Sequence, residues 1–100
     1  MEHYINRDNF RIELKGSKRE IKKFARCLVE IVDKHLLLEL KSIKFKSELE
    51  QFNISPYQRI YLSKNSLLYV PNVGSNKDIR NLHFERMMEN YIKAKENFLK

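Results

Sequence analysis

The chain has 100 residues, and its 20 Lys and Arg exceed its 13 Asp and Glu to give a formal net charge of +7. The length predicts one domain, and the charge favours a polyanion as partner, with nucleic acid ahead of a membrane surface. No apolar run reaches the roughly 18 residues of a membrane span, the start lacks the apolar stretch of a targeting peptide, and a single cysteine allows no intrachain disulfide, which fits a reducing compartment.

The first elements predicted along the chain are a strand and a helix. Residues 1–9 are polar, so we expect a frayed or extended start. Apolar and polar side chains alternate over 10–15, as in a strand with one buried face. Ser17 and Glu20 have the spacing of a capping box, which predicts a helix over 18–34 with an apolar stripe facing the core. The opposite face of its first turns is basic and available to a partner. These basic residues are Lys18, Arg19, Lys22, Lys23 and Arg26.

The next segment, 36–58, has two interpretations as far as about Gln51. Its leucines alternate as in a strand and also recur at helical spacing. We favour a continued helix, because Glu, Lys and Leu dominate and no Gly or Pro intervenes. Asn53–Pro56 predicts a break, since the residue before a proline avoids the helical region.

The same break resembles the turn of a helix-turn-helix, although Arg59 stands where the second helix needs an apolar residue. It keeps open an alternative function, that of a small basic DNA-binding regulator or inhibitor protein of viral or plasmid origin.

The rest of the chain predicts an extended region and an ambiguous C-terminal segment. Within 59–82, apolar runs flank the polar Lys64–Ser66, which predicts a hairpin or a long extended arm. Residues 71–78 have the composition of a loop. Residues 83–100 fit one face of a helix and one side of a strand equally well.

Residue types used in catalytic and metal sites are scattered along the chain. The three histidines are far apart and have no neighbouring cysteine, which argues against a zinc site. Two glycines are too few for a phosphate-binding loop, and no serine lies in a nucleophile elbow. We therefore expect no enzymatic activity, no metal and no cofactor.

The chemistry that is present is an interleaving of basic and aromatic residues in the middle of the chain. Lys and Arg neutralise phosphates, and flat side chains stack on exposed bases. This pattern predicts RNA binding; the alternative is a solvated loop whose tyrosines cover a small core. The candidate residues are Arg59, Tyr61, Lys64, Tyr69, Asn76, Lys77 and Arg80, with Tyr57 beside them.

Three blocks of sequence occur in the same order in one known family. Residues 11–15, RIELK, match an R-I-x-L-K strand, and Leu28–Glu30 falls in register with an I-V-E triplet in the helix that follows. Residues 62–70 match an L-P-x-K pattern and an extended segment, with Ser63 in place of the proline. His83–Glu85 matches a Q-F-E triplet. Together these blocks resemble the S-ten family of small-subunit ribosomal proteins.

The resemblance implies an α+β fold. It would be an incomplete ferredoxin-like β-α-β unit with a long extended arm or hairpin, and with 36–58 as an inserted segment after the first helix. The chain stops near the point where the family begins its second helix and last strand. The resemblance therefore also implies an unpaired sheet edge, which is costly unless RNA, a neighbouring protein or a separate chain completing the C-terminal half covers it.

The resemblance further implies a structural role in the head of the small ribosomal subunit during translation. The partners would be ribosomal RNA and neighbouring ribosomal proteins, with no membrane. It adds Arg11, Lys15 and Arg86 to the RNA-binding candidates. A composition rich in Lys, Asn and Ile suggests an AT-rich genome, so we expect an organelle-encoded protein of the mitochondrial ribosome, or otherwise a cytoplasmic one.

Overall fold

A computed structural model describes residues 1–100 and shows an α+β chain built on one five-stranded antiparallel sheet. The strand order is β1-β2-β5-β4-β3. The α+β class is confirmed, and the arrangement is compatible with a partial ferredoxin-like β-α-β unit. The elements are β1 (Glu2–Asn6), β2 (Arg11–Lys15), α1 (Lys18–Asp33), a 3₁₀ turn (Lys34–Leu36), α2 (Leu37–Lys41), β3 (Glu50–Ser55), β4 (Gln58–Leu62), β5 (Ser66–Pro71) and α3 (Lys77–Phe98).

The predicted strand and helix at the start of the chain are both present. Ile12 and Leu14 of β2 are fully buried, as their alternation predicted. The capping box is also present: Glu20 N–H donates to Ser17 Oγ at 3.2 Å, and Ser17 N–H donates to Glu20 Oε1 at 3.0 Å. These two bonds satisfy N–H groups that a helix start leaves without partners.

Replacing Ser17 by alanine is expected to lower the free energy of unfolding by about 1 kcal/mol, because Glu20 N–H loses its acceptor. Chemical denaturation of the two proteins measures the difference. Ser75→Ala, which changes an exposed serine in the loop before α3, is the matched control and should leave the midpoint unchanged. An equal effect of the two substitutions would contradict the capping role of Ser17.

Residues 2–6 are extended rather than frayed, and residues 7–10 form the turn to β2. β1 pairs with β2 along its whole length, with Glu2 opposite Lys15 and Asn6 opposite Arg11. The strand is held on the helix side by His3, whose Nδ1 lies 2.7 Å from the hydroxyl of Tyr91. Burial next to cationic groups lowers the pKa of His3, so its ring favours the neutral form at this position.

The predicted continuation of the helix is confirmed only as far as Lys41 and is wrong from there to Gln51. α2 ends at Lys41, an irregular segment follows, and β3 begins at Glu50. The favourable helix propensity is overridden because β3 gains a hydrogen-bonded partner in β4 and buries Ile54 completely. Since Asn53–Pro56 belongs to a strand and its hairpin turn, there is no helix-turn-helix here. A register irregularity between Asn53 and Ser55 bends this edge strand, a feature that discourages pairing with another chain.

Of the two forms predicted for 59–82, the structure contains the hairpin. β4 and β5 pair within the sheet, and Ser63 Oγ accepts the N–H groups of Asn65 and Ser66 in the turn between them. No long arm leaves the domain. The loop ends earlier than predicted, since α3 begins at Lys77, and residues 83–98 continue that helix, so the strand interpretation of the C-terminal segment is wrong.

Helices α1 and α3 pack side by side on one face of the sheet. The core between them contains Phe24, Leu28, Phe84 and Met87, all at most 1 % exposed, against inward side chains of the strands. Burial of apolar area on this scale is the main stabilising contribution to the fold. The other face of the sheet has no helix over it.

A polar cluster lies inside this core. The hydroxyl of Tyr69, which is 1 % exposed, donates to Gln58 Oε1, and Asn90 Nδ2 of α3 lies 3.4 Å from both of those oxygens. Each group is thus supplied with a partner, as buried polar groups require. Burial raises the pKa of Tyr69, so the phenol stays protonated in the folded chain.

Candidate nucleic-acid interface

The face of the sheet without helices carries several of the predicted RNA-binding residues. We call it the open face. Side chains alternate along each strand, so the neighbours of the buried residues of β2, β4 and β5 point to this side. Its members are Arg11, Glu13, Lys15, Arg59, Tyr61, Leu68 and Val70, with Tyr4 on the edge strand β1 and Gln51 and Asn53 on the edge strand β3.

The register places these side chains in rows across the sheet. Tyr61 lies opposite Leu68, which lies opposite Glu13, and the next pair along the hairpin is Arg59 with Val70. Neighbouring strands are about 4.8 Å apart, so side chains in one row touch. The centre of the open face is therefore an apolar strip of Leu68 and Val70, with Tyr61 and Arg59 on one side and Glu13 on the other.

Arg59 and Tyr61 form a compact pair. The guanidinium carbon of Arg59 is 5.4 Å from the centre of the Tyr61 ring, within the range of a cation–π contact. Arg59 Nε is buried and has no hydrogen-bond acceptor. A buried unpaired donor costs about 1–3 kcal/mol, so this guanidinium gains if it turns towards an acceptor supplied from outside the chain.

A second aromatic and basic pair lies at the β1 edge. Lys15 Nζ is 5.8 Å from the centre of the Tyr4 ring, and Tyr4 is 47 % exposed. The Tyr4 hydroxyl donates to Glu2, which raises the pKa of the phenol and keeps it neutral. Tyr4 was missed by the sequence prediction, because residues 2–6 have no regular alternation of apolar and polar side chains.

Basic residues outnumber acidic ones on the open face. The basic members are Arg11, Lys15 and Arg59, and the acidic ones are Glu13 and Glu2, which lies on β1 opposite Lys15. Lys64, in the turn between β4 and β5, adds a further exposed cation at the same end of the sheet as Lys15, since the register places Lys15 opposite Ser66.

Tyr69 is the clear correction among the candidates. It belongs to β5 like Leu68, but its side chain points to the helices and its ring is 1 % exposed. A ring in that position has no access to a base, so Tyr69 is a core residue. Its position follows from the strand period of two, which sends adjacent residues to opposite faces.

Four candidates lie on or beside α3 and not on the open face. Asn76 caps the helix by accepting the N–H groups of Asp78 and Ile79 at 2.9 and 3.2 Å, and Lys77 is the first helical residue. Arg80 has its guanidinium carbon 5.4 Å from the Phe10 ring centre and donates to the carbonyl of Val73, so it fastens a loop to the helix.

Arg86 lines a polar cleft of about 560 Å³ between α3 and the β3–β4 turn. Tyr57 and His83 stack in the same cleft with ring centres 5.1 Å apart. The structure thus separates Arg86 and Tyr57 from the open face and places them in a second, smaller polar site.

The structure contains no cluster of three or more His, Cys, Asp and Glu side chains suited to a metal ion. None of its helices has the combination of length and apolar character that crossing a membrane requires. Comparison of the chain with protein-family models, with curated proteins and with solved structures found no match.

Proposed function

We propose that this protein binds single-stranded RNA on the open face of its sheet, as an architectural component of a ribonucleoprotein particle. The observation that carries the proposal is the Arg59–Tyr61 pair beside the apolar Leu68 on a sheet face that no helix covers. An exposed sheet with aromatic and basic side chains is a common platform for unpaired bases.

The side chains of the open face have different roles, which follow from their chemistry. Tyr61 and Tyr4 offer flat surfaces on which bases stack, and Arg59 supplies a cation and spare donors beside Tyr61. Lys15 and Lys64 lie at one end of the sheet, where they neutralise phosphates of a strand that crosses it.

The small ribosomal subunit is the particle that we propose. The support is the order of the three sequence blocks and the first ungapped register, together with the net charge of +7. Because β4 and β5 form a hairpin inside the sheet in place of a long arm, the proposal assigns the RNA contacts to the open face.

Tyr61→Ala is expected to weaken binding of a labelled 12-nucleotide single-stranded RNA by about 5- to 150-fold, since one base–aromatic stack contributes about 1–3 kcal/mol. Fluorescence anisotropy at low salt measures the dissociation constant. Tyr57→Ala is the matched control, because Tyr57 is 56 % exposed but lies in the cleft beside α3. Equal losses for both variants would contradict the open face as the binding site.

Two further measurements separate the parts of the proposal. If the protein prefers duplex DNA to single-stranded RNA at equal salt, RNA binding is rejected in favour of the DNA-binding alternative. If tagged protein is absent from small-subunit fractions of a sucrose gradient while RNA affinity is intact, the ribosomal assignment is rejected and RNA binding stays.

A further inference from the structure

A groove on the helix side of the domain combines an apolar floor with a cationic rim. It has a volume of about 470 Å³ and lies between α1, α2 and the segment that follows α2. The floor and rim residues are Leu37, Leu40, Ile43 and Phe45, and Lys22, Arg26, Lys41 and Glu30. The rim has three cations to one carboxylate, so the groove suits an apolar side chain carried on an acidic element.

The cations of the rim are held in place by α1 and by a contact with the floor. Lys22 and Arg26 are four residues apart on α1 and therefore lie on one side of that helix, next to each other. Lys22 Nζ lies 5.3 Å from the centre of the Phe45 ring, within the range of a cation–π contact. Phe45 is only 9 % exposed, so its ring is too buried to stack on a base, and the rest of the floor is aliphatic.

The middle of the solvent side of α3 is acidic, and the exposed Arg86 and Lys93 lie along one edge of it. Asp78, Glu85, Glu89 and Glu96 are spaced seven, four and seven residues apart, so they form one acidic stripe along the helix, and all four are exposed. Only Glu85 has an ion-pair partner, Arg7, in an exposed pair of the kind that contributes little stability.

Large apolar side chains border the acidic stripe. Leu82, Ile92 and Leu99 are 59 %, 48 % and 73 % exposed. At helical spacing Leu82 lies on one side of the stripe, and Ile92 and Leu99 lie on the other. Ile92 and Leu99, seven residues apart on one side of α3, have the spacing of the apolar anchors of a helix that docks into a groove.

We propose that the groove between α1 and α2 binds α3 of a second copy of this chain. In this contact an apolar residue of the incoming helix enters the floor of leucine, isoleucine and phenylalanine, and its carboxylates meet Lys22, Arg26 and Lys41. Opposite charges across the contact set its orientation and speed association. The groove and the acidic stripe are different surfaces of one molecule, so the contact is head-to-tail and leaves one free surface at each end.

Two features of the molecule permit such a contact. α3 has 22 residues and is therefore about 33 Å long, so a second copy can lie along it without displacing α1 from its other side. The groove lies on the helix side of the sheet, away from Arg59 and Tyr61, so RNA on the open face does not compete for it.

The test uses two neutralised variants of the full chain. The groove variant is Lys22→Gln, Arg26→Gln and Lys41→Gln, and the stripe variant is Glu85→Gln, Glu89→Gln and Glu96→Gln. Sedimentation velocity at low salt should show concentration-dependent association of the wild type, reduced in high salt because the charges are screened. Each variant alone should associate at least about tenfold more weakly than the wild type.

The deciding sample is an equimolar mixture of the two variants. The intact stripe of one should dock in the intact groove of the other and give a 1:1 dimer that grows no further. The control is Lys77→Gln, Lys95→Gln and Lys100→Gln, which removes three exposed cations outside the groove and should still self-associate. Circular dichroism checks that every variant is folded.

A monomeric wild type, a groove variant that associates like the wild type, or a mixture of variants that stays monomeric would overturn the proposal. A groove variant that loses RNA affinity while the wild type is monomeric would also overturn it and assign the groove to RNA. None of these results depends on the Tyr61 experiment.

Discussion

Replacing Phe24 by alanine is expected to cost about 3–5 kcal/mol of unfolding free energy, the range observed for truncating a buried aromatic ring. Phe24 of α1 is 1 % exposed. Its ring centre lies 5.6–6.1 Å from those of His3, Tyr91 and Phe98, which connect β1, α3 and the C-terminal end of the chain. Small domains typically have an unfolding free energy of about 5–15 kcal/mol, so this single substitution removes a large part of the stability.

Urea denaturation followed by circular dichroism measures the loss. Arg19→Ala, an exposed change on the same helix, is the control and should stay within about 0.5 kcal/mol of the wild type. A loss of less than about 1 kcal/mol for Phe24→Ala would mean that the aromatic cluster is not the junction of the two helices and β1.

The second large effect is expected from Tyr69→Phe, with a loss of about 1–3 kcal/mol near neutral pH. The substitution keeps the ring and removes the hydroxyl, which leaves the buried Gln58 oxygen with only the amide of Asn90, 3.4 Å away. Asn90 loses one of its two acceptors at the same time. Buried polar groups that lose hydrogen-bond partners no longer offset the full desolvation energy, which is about 1–3 kcal/mol for such a group.

Tyr69 also predicts how stability depends on alkaline pH. Burial raises the pKa of its phenol, so above about pH 10 the unfolded chain releases a proton that the folded chain retains. The stabilisation is complete below that pH and is lost as the pH rises further, by up to about 1.4 kcal/mol per pH unit. Burial raises the pKa of Tyr91 as well, so part of the dependence should remain in Tyr69→Phe.

Unfolding free energies measured from pH 8 to 11 test this linkage. The slope above pH 10 should be smaller in Tyr69→Phe than in the wild type, and Tyr57→Phe, in the exposed cleft, should follow the wild type. Identical slopes in all three proteins would contradict the assignment of alkaline destabilisation to the buried phenol.

The parts of the fold that sequence predicted are those with strong local indications. β2 has strict alternation of apolar and polar residues, and α1 begins with the serine and glutamate of a capping box, so neither element needs distant contacts to be recognised. The hairpin over 59–82 was predicted as one of two forms because apolar runs flank a polar turn.

The parts that sequence did not predict depend on distant partners. β1 is polar on its outer side and is a strand because β2 supplies its hydrogen bonds. β3 is made of residues acceptable in a helix, and pairing with β4 decides its conformation. Helix propensity carries no information on either partner.

The candidate interface shows the same limit at the level of single residues. Tyr61 and Tyr69 have similar neighbours in the sequence, yet one lies on the open face and the other in the core. The pairing of Tyr61 with Leu68 makes the difference, and a shift by one residue would exchange the two faces. The basic side of α1 was recognised, but the groove beside it needed the end of α2 at Lys41, which the sequence did not reveal.

The order of strands has a consequence for how the chain acquires this structure. β3, β4 and β5 form a meander of near neighbours, whereas β2 joins β5 with Ile12 opposite Tyr69, 57 positions later. Pairings between distant positions require a large loop to close before they add stability, and they slow folding. The junction of β2 and β5 should therefore form late. On a nascent chain, β2 has no partner on its β5 side until β5 has left the ribosome exit tunnel.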